Sequence, residues 1–259
     1  MSPALRRMVR RSAFAVLLLA GFASRAHAQW SADVTVEQFD WREHTTPIVV
    51  HEQGPRFAAA VGYLLPKERG VLFGYRGALY AGDVDYNGSF QFDATTAAKG
   101  ASNYVGTTQS AEARWRWPGI ADALVGLDLD FWSRRLSTTQ EEKYRVASVR
   151  LGAERVASAT SRLCGGIGMR ILVATHEDAT IEVGRDTYAL SLSPGLGTNP
   201  YLHAGVRVWP HVTVLGYWDG MSLGRSNQVV LLKRGKPQAV VSQPDTDVSR
   251  VGVRVAYGW

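Results

Sequence analysis

Cysteine is almost missing from this chain: Cys164 is the only one in 259 residues. No internal disulfide can form, and the thiol reads as a small side chain on a crowded strand rather than a reactive group. Long apolar runs are missing too. Past residue 28 no window holds 18 consecutive apolar residues, which excludes a helical membrane protein. A surplus of one charge is also lacking once the first 28 residues are set aside. The whole chain has 29 Lys and Arg against 23 Asp and Glu, but those 28 residues hold five arginines and no acid. Residues 29–259 carry 24 basic against 23 acidic groups, about +1, so a nucleic-acid partner has no electrostatic support. Metal-ligand clusters, phosphate-cradling glycine loops and Cys/His spacings are absent, so neither a metal nor a cofactor is indicated. No internal repeat of fixed period is visible.

What is present begins with an export signal. Arg6, Arg7, Arg10 and Arg11 precede an apolar run from Ala13 to Ala23, and Ala26-His27-Ala28 supplies the small residues of a cleavage site. This charge, apolar, small order is that of a secretory signal peptide, assigned to residues 1–28, and it leaves one domain over 29–259.

The last dozen residues set the reading of that domain. Val251, Val253, Val255, Tyr257 and Trp259 occupy every second position, with Arg250, Gly252, Arg254, Ala256 and Gly258 between them. Side chains alternate faces along a strand, so one face is apolar and the other small or cationic. Indole and phenol rings favour the membrane–water boundary, which gives a chain end of this kind a reason to meet lipid. In these residues the chain resembles bacterial outer-membrane β-barrel proteins, whose last strand ends in an aromatic residue after alternating apolar positions. The resemblance implies that the outer-membrane assembly machinery reads Tyr257 and Trp259.

Further alternating segments fall at 31–43, 56–65, 71–85, 103–117, 121–134, 143–156, from 162, 201–208 and 211–223. In 31–43 the apolar positions change parity between Val36 and Phe39, which predicts a bulge near Gln38. Residues 86–102 read as a long loop. The segment 176–193 reads as a strand extension returning around Gly184-Arg185, and 228–241 as a hairpin within a loop. With the last strand this gives an all-β, antiparallel, up-and-down transmembrane barrel of ten strands; dividing 176–200 or 225–245 differently gives eight or twelve. Short links follow the even strands and longer polar links most of the odd ones, the layout of an even-stranded barrel with both termini periplasmic. Pro66 to Gly70, Pro118-Gly119 and 157–161 supply short turns.

Charge then belongs inside. Arg56, Arg76, Arg114, Arg116, Arg150, Arg170, Arg207, Arg250 and Arg254 are placed in the lumen with Glu112, Asp128, Asp130, Glu154 and His203. A basic group facing lipid at mid-depth would cost about 2–4 kcal/mol. Two readings stand. Interlocked arginines and carboxylates plug a narrow lumen, or nine arginines against four acids make an anion-tolerant channel. Trp115, Trp117, Trp209, Tyr257 and Trp259 read as one aromatic girdle, and Tyr104, Phe131, Trp132, Tyr144, Tyr217 and Trp218 as the other.

For catalysis the candidates are Asp83, Asp85, His176 and Asp178, at the outer ends of their strands. An acid pair and an oriented imidazole are the parts of general-base chemistry. They resemble the omptin proteases, ten-stranded barrels that activate water between an Asp pair and a His–Asp couple at the external rim. The chain departs from that pattern, reading His176-Glu177-Asp178 where the family reads Asp-x-His. Ser133, Ser191 and Ser193 lack a His two residues away, so a lipid-modifying serine enzyme has little support. The expectation is a monomeric integral protein of the outer membrane with a structural, adhesive or narrow transport role and no assigned catalytic residue. Its partners are membrane lipid, lipopolysaccharide and, during biogenesis, the assembly machinery, with no nucleic acid.

Overall fold

The computed structural model describes residues 29–65, 70–90, 93–117, 121–157, 161–183, 186–233 and 236–259. The expected leader at 1–28, most of the expected turn at 66–70, Pro118-Gly119, most of the expected turn at 157–161 and the expected turn at Gly184-Arg185 lie outside these residues.

Among the described residues thirteen strands follow one another: β1 (Gln29–Glu43), β2 (Val50–Leu65), β3 (Gly70–Phe90), β4 (Asp93–Arg116), β5 (Asp122–Arg135), β6 (Gln140–Arg155), β7 (Leu163–Val183), β8 (Asp186–Leu192), β9 (Thr198–Trp209), β10 (Val212–Leu223), β11 (Val229–Lys233), β12 (Lys236–Val241) and β13 (Thr246–Gly258). Ten of them close into a ring. β1 to β7 pair in sequence, β7 pairs with β9, β9 with β10, β10 with β13, and β13 with β1. β8 pairs with the far end of β7, and β11 with β12 alone. The expected hairpin at 228–241 and the returning extension of 176–193 are therefore both present, outside the ring.

Closure follows from the period-two pattern. Val34, Val36, Phe57, Phe73, Leu79, Val125, Leu127, Ile167, Met169, Val253 and Val255 are exposed on the outer wall. A closed barrel has no free edge, and its exposed apolar belt is the surface that a bilayer covers. At the end where the termini meet, Trp30, Trp115, Trp117, Trp209 and Tyr257 are exposed, forming one girdle. At the loop end the outward positions turn charged, with Asp40, Arg42, Asp83, Asp85, Lys143, Arg145, His176 and Asp178, so the strands there rise past the belt.

Three expectations need correction. No bulge occurs at Gln38: β1 keeps one unbroken register with both β2 and β13 from end to end. Phe39 and Trp41 are buried on the inward face that also carries Asp33, Thr35 and Glu37. What changes along β1 is the chemistry of the lumen, not the pleat. Second, most of 86–102 is no loop, since β3 and β4 stay paired from Asp83–Asn103 out to Phe90–Asp93. Cross-strand pairing overrides the weak strand propensity of its Ala, Gly, Asn and Asp. Third, Tyr104, Trp132, Tyr144 and Tyr217 are not girdle residues, because all four point into the lumen.

Candidate functional site: the layered lumen

The lumen is built from inward side chains in four layers. Nearest the termini, Arg76 forks onto Asp33, Nε to Oδ2 at 3.0 Å and Nη2 to Oδ1 at 2.8 Å. Arg254 Nε lies 3.6 Å from the same carboxylate. Arg114 and Arg150 share Glu112, with N–O distances of 2.6 and 2.9 Å. His203 meets Glu154 at 3.1 Å, and Arg116 meets Asp122 at 3.6 Å.

Midway, Asp219 accepts from Arg170 at 2.9 Å and from Arg250 at 2.6 Å, while Arg170 also reaches Asp128 at 3.2 Å. Arg56 donates through Nε to Glu37 at 2.8 Å, and Tyr217 donates to the other oxygen of Glu37. Thr108 donates to Asp130. Such charge-assisted pairs across neighbouring strands neutralise groups that would otherwise be costly to enclose.

Toward the loop end the lumen turns aromatic. Phe39, Trp41, Tyr80, Tyr104, Trp132 and Tyr144 form a buried cluster with Val84, Val146, Leu172, Met221, Leu223 and Val248. Trp132 stacks on Tyr144 with ring centroids 4.8 Å apart, and the Arg56 guanidinium lies 3.9 Å from the Phe39 centroid. A cavity of about 20 Å³ remains beneath it, lined in part by Arg56, Asp130, Arg250 and Tyr80. A space of that size holds roughly one water.

Above the aromatics sits a buried ionic cap. Arg134 donates to Glu43 at 2.6 Å, to Glu142 at 2.8 Å and to Glu52, and its guanidinium lies over the Trp41 ring. Tyr104 and Tyr144 hydroxyls donate to Glu52 and Glu142 at 2.8 and 2.9 Å. Glu177 is buried across from Tyr144, and its Oε2 has no hydrogen-bond partner. The cap lies above the apolar belt. Burial, with Glu142 as the nearest like charge, pushes the Glu177 carboxyl up to about 9, and burial raises that of Glu142. Among the described residues no group of three or more His, Cys, Asp or Glu is arranged to hold a metal ion; three of these four carboxylates are turned onto Arg134.

All fourteen charged residues assigned to the lumen from sequence lie on inward positions. The sequence reading missed Asp33, Glu37, Glu43, Glu52, Asp122, Arg134, Glu142, Glu177 and Asp219, which share the same face. With them included, carboxylates outnumber arginines among the described inward residues. The arginine excess behind the anion-channel reading is gone. Asp33 and Glu37 carried a usable signal, since they alternate with the outward Val34 and Val36.

The catalytic candidates are not brought together. Asp83 and Asp85 are exposed on the outer wall of β3, where Asp83 accepts from Asn103 at 2.7 Å. His176 and Asp178 lie on the outer wall of β7, 2.9 Å apart, with Arg145 donating to Asp178. β3 and β7 are separated around the ring by β4, β5 and β6. His176 and Asp178 face outward because of a β-bulge: Ala147 pairs with Ala174 but Ser148 with Leu172, so Val173 is an extra residue in β7. Beyond it the pleat is inverted, and Glu177 takes the inward place.

Ring closure, an apolar outer belt, a terminal aromatic girdle and a charged interior together define a transmembrane β-barrel of the bacterial outer-membrane class. No protein-family model matches the sequence, and no curated protein matches it. Solved structures similar in outline include the outer membrane protease OmpT from Escherichia coli, at 7% identity over 89% of this chain and 97% of that one, with a TM-score of 0.49. The translocator domain of the autotransporter NalP from Neisseria meningitidis matches at 10% identity over 98% and 96%, with a TM-score of 0.42. The toluene transporter TodX of P. putida matches at 10% over 91% and 90%, with a TM-score of 0.38. At these values none of them assigns an activity to the chain.

Proposed function

We propose that this protein is a non-conducting barrel of the outer membrane that anchors and displays its loop-end sheet at the cell surface. The observation that carries this reading is the aromatic layer with its ionic cap, two successive side-chain layers lying across the lumen. Above the belt the chain continues as built structure: the β7–β8 extension and the β11–β12 hairpin pack Ala179, Ile181, Leu190 and Leu231 into a second small core. In this reading residues 1–28 direct export, the termini lie in the periplasm, and Tyr257 with Trp259 is the strand end that the assembly machinery reads. Charged outer-wall groups such as Arg42, Lys143 and Arg145 stand where lipopolysaccharide headgroups begin.

The channel reading loses its support with the balance of lumen charge. The rim-protease reading would need Asp83, Asp85, His176 and Asp178 to face one cleft, and they face outward from separate strands. Planar-bilayer recording of the folded barrel tests the proposal: no current above the lipid baseline is expected. Steady unitary conductance in wild type would overturn it. A Trp259 deletion should lower the yield of membrane-assembled barrel, measured by heat-modifiable gel mobility.

A further inference from the structure

Charge along the lumen is segregated. At the loop end, Glu43, Glu52, Glu142 and Glu177 surround one arginine. At the terminal end arginine is in slight excess: Arg76 and Arg254 share Asp33, and Arg114 and Arg150 share Glu112, beside the Arg116–Asp122 and His203–Glu154 pairs. Solvent access varies along the same axis. Side-chain exposure is 1% for Arg134 and 4% for Arg56, then 11% for Arg170 and 15% for Arg250, and reaches 28% for Arg76 and 29% for Arg254. Solvent access to the inward arginines therefore grows toward the termini and is least beside the aromatic layer.

Arg254 is the group this arrangement leaves over. Arg76 already occupies both oxygens of Asp33 with a fork, and Arg254 Nε makes no hydrogen bond. Its guanidinium is steadied on one side by the Tyr217 ring, 5.4 Å from the centroid. Toward the termini the next inward positions, Ser31, Gly62, Ala256 and Gly258, are small, while Thr35 and Leu215 flank Arg254 on the neighbouring strands. A guanidinium whose Nε is buried without a hydrogen bond, whose side chain is still 29% exposed and which lies beside a second guanidinium on one shared carboxylate, is an arrangement suited to a planar or tetrahedral oxyanion.

We propose that the terminal-side vestibule is a binding site for a phosphate-type oxyanion, held by Arg254 together with Arg76 and entered from the side of the termini. The anion supplies the negative charge that Asp33 alone does not. This goes beyond the closed-barrel reading and shares with it only the barrel itself: anion binding is measured in detergent and conductance in a bilayer, so either can fail without the other.

The test is isothermal titration of inorganic phosphate into the folded full-length barrel at pH 7, with ionic strength held constant by chloride. Saturable binding is expected in wild type. Arg254→Gln should weaken it about tenfold or more, the loss of one charge-assisted hydrogen bond. Arg145→Gln, on the outer wall at the other end, should leave it unchanged. Heat-modifiable mobility establishes that each variant is folded, and Arg254→Lys, which keeps charge but loses the fork, serves if the Gln variant does not assemble; it should bind several-fold more weakly than wild type. No saturable binding in wild type, or wild-type affinity in the folded Arg254 variant, would overturn the proposal.

Discussion

At the scale of single residues the ionic cap makes the sharpest predictions. Glu177 holds its proton to about pH 9 in the folded barrel because burial and the Glu142 charge oppose ionisation, whereas an unfolded Glu releases it near pH 4.5. The folded state thus binds more protons than the unfolded state between those values, and this group's contribution to stability falls as pH rises through that window. Glu177→Gln should unfold at a higher temperature than wild type at pH 8 and at nearly the same temperature at pH 4. A larger gap at pH 4 would show that the proton is not held there. Arg134 is the complementary case. Replacing it with Gln strips three buried carboxylates of their common partner and should cost about 3–5 kcal/mol, read as a lower midpoint in urea unfolding. Glu177 was not legible as an inward group. The sequence places it between His176 and Asp178, and only the extra residue Val173 in the β6–β7 pairing turns it inside.

At the scale of elements, strands carry two independent messages on their two faces. The outward message was readable: Val251, Val253 and Val255, or Val125 and Leu127, are exposed where alternation placed them. Leu79→Arg on this belt should cost about 2–4 kcal/mol if it sits near mid-depth, measured as reduced folding yield into vesicles. The inward message was misread where it became apolar. Tyr104, Trp132, Tyr144 and Tyr217 read as girdle residues and Phe39 and Trp41 as outward positions after a bulge, and nothing local distinguishes an aromatic ring facing lipid from one facing a filled lumen. The β11–β12 hairpin was legible because two short apolar arms flank a Lys-Arg-Gly-Lys turn. It belongs to no ring pairing and touches the rest through the small core around Leu190 and Leu231. Deleting residues 228–242 and joining the ends with a short Gly-Ser link should leave the barrel closed and heat-modifiable. Failure to assemble would show that the hairpin is part of the barrel's stability rather than its display.

At the scale of the whole molecule the barrel is a cylinder with an acidic, aromatic-filled loop end and a more solvent-accessible terminal end where arginine is in slight excess. One wall serves the lipid, and the other sets charge by depth. Alternation along each segment, aromatic residues at strand ends and the alternation of short and long links are local properties, and they determined the all-β class, the ten strands of the ring and which wall carries the arginines. Which acid meets which arginine, whether β7 keeps its parity and how far β3 and β4 remain paired were decided by the tertiary structure. The reason is physical: a strand's own residues fix only that its side chains alternate. The phase of that alternation past a bulge, and the depth at which inward groups from different strands share a layer, are set by hydrogen-bond register with neighbours that lie far away in the chain.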